Sequence, residues 1–156
     1  MIEEAFYAHP AVGNVAAIGR PDRYTGEMPV VYVSLKPGSS IDSESLLRFA
    51  ADRIPERAAV PKQVRIVSEL PLTAVGKVFK PALRKQAARD GYLDALGGMI
   101  GAYNMTMTVD DTSGETIILL TCTNLSVTLH EGVRRFVEDA LKTFTFRHEL
   151  TFAERL

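Results

Sequence analysis

The chain has no tryptophan, one cysteine, three histidines and no long apolar run, and each shortage removes a kind of chemistry. The single cysteine, Cys122, has no partner for a disulfide and lies in the apolar stretch Thr116-Ile117-Ile118-Leu119-Leu120-Thr121-Cys122, where a thiol is expected to serve packing. His9, His130 and His148 are scattered and none is at metal-ligand spacing. No serine sits in a nucleophile-elbow pattern, so neither a metal nor histidine-based catalysis is expected. Lys plus Arg number 18 against 19 for Asp plus Glu, a net charge of -1, so no global field draws in nucleic acid or an anionic membrane. Any anion must therefore meet a local site. The apolar runs fall far short of the ~20 residues of a membrane helix, and no charged segment followed by an apolar one opens the chain. A cytoplasmic protein without a membrane span is expected.

With 46% hydrophobic residues in 156, the chain can bury a core as one domain or two small ones. Ile2 to Pro10 reads as a short helix with acidic residues at its start, and as the inside of a longer chain. Val12 to Gly19 and Val30 to Leu35 read as strands around a turn-rich loop at 21–27. Leu46, Leu47, Ala50, Ala51 and Ile54 recur at helical spacing behind Asp42 and Ser43 as cap candidates. Gln63 to Val67 alternates as a half-buried strand, and Lys80 to Arg89 forms a helix with Pro81 in its first turn. The glycines of Leu96-Gly97-Gly98-Met99-Ile100-Gly101 mark a boundary, dividing residues 1–96 from an extension over 97–156.

In the extension, strands over 103–109 and 116–122 flank the polar loop Asp110-Asp111-Thr112-Ser113-Gly114. The two carboxylates lack the further oxygen ligands of a calcium loop, which leaves a solvated turn. Thr128-x-x-Glu131 predicts a capping box before a helix, and the alternation from Phe144 to Glu149 predicts a last strand. The fold class is α+β: a small sheet with a hairpin flanked by helices, then a strand-strand-helix-strand extension. No internal repeat or low-complexity tract is evident.

The most informative stretch is Glu69-Leu70-Pro71-Leu72-Thr73-Ala74-Val75-Gly76-Lys77. Pro71 restricts entry to a loop, Gly76 permits a positive φ or a close backbone approach, and Lys77 projects a compact cation on a long stem. Spacing alone does not separate this from a solvated loop lysine.

Four elements occur in one order: His9-Pro10-Ala11-Val12; Arg20-Pro21-Asp22 with Thr25-Gly26-Glu27; Val60-Pro61-Lys62; and Leu70-Pro71-Leu72-Thr73 with Gly76-Lys77. In this respect residues 1 to about 90 resemble the C-terminal domain of AMP-forming acyl-CoA synthetases, the adenylate-forming superfamily. Family members join a large N-terminal domain, which holds ATP and the carboxylic acid, to a small mobile lid. The chain resembles the lid alone. The resemblance implies that Lys77 reaches the carboxylate and the α-phosphate during adenylation, with Gly76 and Thr73 supporting the nucleotide-facing loop. It also implies ATP, CoA and Mg²⁺ in the complete enzyme, none of them tightly bound to this chain, and a lid that rotates for thioester formation with CoA. The partners implied are the missing adenylation domain and, through it, a small carboxylic acid.

Two positions depart from the family pattern. Ala58-Ala59 stand where many members have an aromatic residue and a lysine, and Lys80-Pro81 replace the usual pair of arginines. By this reading the isolated chain is inactive and the extension serves packing or homo-oligomerisation. The alternatives are a free-standing regulatory or assembly module, and a lid that works with a carrier-protein thiol.

Overall fold

A computed structural model describes residues 1–154. The chain forms two compact units, one of Met1–Arg20 with Met28–Ala87, the other of Pro21–Glu27 with the chain from Ala88 onward.

The first unit runs α1 (Ile2–Tyr7), β1 (Val12–Asp22), β2 (Gly26–Leu35), α2 (Ser43–Ala51), a 3₁₀ turn (Arg57–Ala59), β3 (Gln63–Val67) and the opening of α3 (Lys80–Leu96). The sheet order is β1-β2-β3, with β2 and β3 parallel and Val31 opposite Val64. Alternation along β2 sends Val31 and Val33 into a core with Phe6, Leu46 and Ala50. Val30 and Tyr32 enter a second core with Leu70, Leu83 and Ala87. Both faces of the sheet are thus covered, which is why Val30 to Val33 is continuously apolar. The Asp42 carboxylate caps α2 by accepting the Ser45 N–H at 2.8 Å.

The second unit holds the rest of α3, then α4 (Met99–Ala102), β4 (Met105–Asp110), β5 (Ile117–Thr123), α5 (Val127–Leu141) and β6 (Arg147–Ala153). β5 lies between β4, antiparallel to it, and β6, parallel to it. Ile118, Leu120 and Cys122 pack with Met105 and Met107 of β4, Val133, Val137 and Leu141 of α5, and Tyr92 and Leu96 of α3. The other face carries Thr106, Thr121 and Thr151 in one row, with the Thr121 and Thr151 hydroxyls 3.1 Å apart. This sheet buries one face only.

Three local expectations change. The helix from Lys80 runs on to Leu96, and the glycines beyond it open the short helix α4 where a linker was expected. The predicted capping box does not form: Ser126 is the N-cap of α5, the Thr128 hydroxyl meets that of Ser126 at 2.9 Å, and Glu131 pairs with Arg135 at 3.1 Å. An earlier serine has taken the cap position. The last strand starts at Arg147, because Phe144 is buried in the preceding connection.

The two sheets also repeat one topology, a hairpin followed by a helix and a strand parallel to the hairpin's second strand. Their hairpin turns match residue by residue, Asp22 before Gly26-Glu27 and Asp110 before Gly114-Glu115. Gly26 and Gly114 have φ of +78° and +82°. Asp22 Oδ1 accepts the Tyr24 and Thr25 N–H groups, and Asp110 Oδ1 accepts that of Thr112. The copies share little beyond these turn residues and apolar character, so the sequence hides the repeat.

Candidate functional site

β3 delivers the chain to Leu70, which is 2% exposed and anchors the lysine loop in the core. The loop is a closed hairpin. Leu72 bridges Val78, Phe79 N–H donates to Pro71 O at 2.7 Å, and Thr73 N–H donates to Lys77 O at 2.7 Å. At the tip, Gly76 N–H donates to Thr73 O at 2.9 Å, and Gly76 itself has φ +81°. A turn followed by a glycine in the left-handed region is the usual geometry of a three-residue hairpin loop. The Thr73 hydroxyl also accepts the Lys77 N–H at 3.2 Å. Thr73 thus holds the Lys77 backbone on both sides, and its side chain is directed into the loop.

Lys77 is exposed, and among the described residues its Nζ makes no hydrogen bond or ion pair. On the same hairpin Leu72, Val75 and Phe79 are 46%, 82% and 44% exposed. The hairpin therefore offers an unpaired cation together with exposed apolar side chains. Such a group suits carboxylate or phosphate oxygens. Among the described residues no three His, Cys, Asp or Glu side chains are grouped so as to hold a metal ion.

The exit of the hairpin is tied down. Lys80, the first residue of α3, places Nζ 2.8 Å from Glu3 Oε1, and the same oxygen accepts the Ala17 N–H at 2.9 Å. Burial pushes the Glu3 carboxyl up, but the hydrogen bonds from Lys80 and Ala17 and the Lys80 charge outweigh it, so the net shift is downward. Glu3 and Lys80 help line a groove of about 730 Å³ with Ile2, Ala17, Ile54 and Pro55.

The other motif elements hold backbone. His9 Nδ1 accepts the Ala11 N–H at 3.2 Å, and the ring stands edge-on to Phe49. Arg20 is buried and donates to Gln63 Oε1 at 3.1 Å, while Asp22 and Thr25 build the β1–β2 turn. Lys62 N–H donates to Pro29 O at 3.0 Å, setting the start of β3. Sequence reasoning did not find the Glu3–Lys80 pair, since the partners lie at opposite ends of the first unit's sequence and neither has a distinctive spacing. Cys122 is fully buried and burial pushes its thiol up, as a packing residue requires. Among the described residues, no helix is long and apolar enough to cross a membrane.

The profile of the AMP-binding enzyme C-terminal domain matches residues 1–77, from α1 through the lysine hairpin. This part of the chain belongs to that family and is a C-terminal domain of an AMP-forming ligase. Similar proteins include the marinolic acid–CoA ligase of Pseudoalteromonas sp. (strain SANK 73390), 42% identical over 54% of this chain and 13% of that protein. The long-chain-fatty-acid–CoA ligase of Bacillus subtilis (strain 168) is 37% identical over 59% of this chain and 16% of that one. The crystal structure of Brucella canis acyl-CoA synthetase matches 57% of this chain and 17% of its own, at 33% identity and a TM-score of 0.52. The chain thus spans less than a fifth of the length of these proteins.

Proposed function

We propose that this chain is the lid of an AMP-forming carboxylic acid:CoA ligase and that Lys77 is its catalytic residue for acyl-adenylate formation. The observation that carries the reading is an unpaired ammonium on a hairpin whose backbone is hydrogen-bonded on both sides of it. When the substrate carboxylate attacks the α-phosphate of ATP, charge concentrates on oxygens of both partners, and a fixed cation stabilises that arrangement. The exposed apolar side chains Leu72, Val75 and Phe79 of the hairpin suit a surface that closes over the reacting groups and excludes water. Lys77 Nζ orients the carboxylate and α-phosphate oxygens; Thr73 and Gly76 hold the loop that carries it. Rotation of the lid then withdraws Lys77 and opens the site to the CoA thiol. ATP, the acid and Mg²⁺ are held by a separate adenylation domain, and the isolated chain is silent. The cytoplasmic setting and a division into a lid over 1–96 and an extension over 97–156 belong to the same reading.

The test is Lys77→Ala in the complete ligase, with the two half-reactions measured apart. Adenylation is expected to fall about 100- to 1000-fold, while thioester formation from supplied acyl-adenylate stays near wild type. Equal loss in both half-reactions rejects the role of Lys77.

A further inference from the structure

Lys77 can act on a reacting oxygen only if the hairpin base is fixed, and the two strands of that base are anchored differently. On the entry side, Leu70 is buried with Leu83 and Ala87. On the exit side, Val78 and Phe79 lead directly into Lys80, whose ammonium is held 2.8 Å from Glu3 Oε1. Glu3 lies on α1 and is itself fixed by the Ala17 N–H of β1 at 2.9 Å. The exit strand is thereby fastened to two elements far away in sequence by one carboxylate oxygen.

We propose that Glu3 is a positioning residue for Lys77, acting through Lys80, and this rests on the role of Lys77 proposed above. Both side chains are about a third exposed, at 39% for Lys80 and 33% for Glu3, so the pair adds little to global stability. Its effect is on geometry. Loosening the first turn of α3 moves Lys77, three residues earlier, relative to its target, and near-attack positions are sensitive to shifts of about 1 Å. Withdrawn from the site during thioester formation, the hairpin has no such demand to meet.

The experiment uses the complete ligase with Lys80→Met, Glu3→Gln, Lys80→Arg and Lys77→Ala, and measures kcat and KM for adenylation and for thioester formation from supplied acyl-adenylate. Lys80→Met and Glu3→Gln are expected to lower kcat for adenylation roughly three- to tenfold with KM little changed. Thioester formation, which also reports folding, stays within about twofold in both variants, and Lys80→Arg restores most of the rate. A merely structural pair would lower both half-reactions alike, and that result overturns the proposal. So does an adenylation rate that neither substitution moves while Lys77→Ala abolishes it; the reading of Lys77 then stands and Glu3 is discarded. If Lys77→Ala itself spares adenylation, the reading of Lys77 falls and the positioning role falls with it.

Discussion

Gly91, inside α3, faces Pro21 so closely that a β-carbon on it would lie 2.4 Å from the Pro21 carbonyl oxygen. The contact fixes the tip of the β1–β2 hairpin within the second unit, together with the Thr143 hydroxyl, which donates to Arg23 O at 2.8 Å, and the Arg23–Asp139 pair at 3.3 Å. An interior helical glycine ordinarily costs about 1 kcal/mol relative to alanine. Here the steric term has the opposite sign and is the larger. Gly91→Ala is expected to destabilise the chain by about 1–3 kcal/mol, read from the urea midpoint. A stabilised variant would show that helix propensity dominates.

The Thr73 hydroxyl is an acceptor for the Lys77 N–H, and Thr73→Val removes it at nearly constant shape. A lost hydrogen bond of this kind is worth about 1 kcal/mol. Adenylation by the complete ligase is expected to fall about fivefold, with the melting temperature within about 2 °C of wild type. Thr73→Ser keeps the hydroxyl and should keep the rate.

Glu3 supplies a pH-dependent contribution whose sign follows from its lowered pKa. A carboxylate held below its unfolded value stabilises the fold above that value, and the stabilisation is lost as pH falls through the folded one. The gap in unfolding free energy between wild type and Glu3→Gln should therefore be widest near neutral pH and shrink below about pH 4.5, the ordinary glutamate value. Urea titrations at pH 7 and pH 3 measure it; a gap independent of pH would mean that the Glu3 charge is not what Lys80 and Ala17 recognise.

The lysine hairpin was legible because proline, glycine and lysine act locally: each limits its own backbone or carries its own charge. Asp42 was legible as a cap for the same reason. What escaped depends on distant partners. Gly91 carries no local signal of its role, since it is there for the close approach of Pro21, while Gly97, read as part of a boundary, lies beyond the last turn of α3. Thr128 and Glu131 had the spacing of a capping box, but whether they cap α5 was decided by Ser126, one residue before the helix. The pairing of Glu3 with Lys80 needed the sheet to be assembled before it could exist.

Two copies of one hairpin-helix-strand arrangement in a single chain could trade parts while folding, a known failure of repeated folds. The difference in how their sheets are covered guards against it. β2 is apolar toward both faces, whereas β5 places Thr121 on the face opposite Ile118, Leu120 and Cys122. Were β5 to replace β2, that threonine hydroxyl would be sealed beneath a helix without water, and were β2 to replace β5, one row of its apolar side chains would be left facing solvent. Each strand is thereby committed to its own sheet by the side of it that is not needed for pairing.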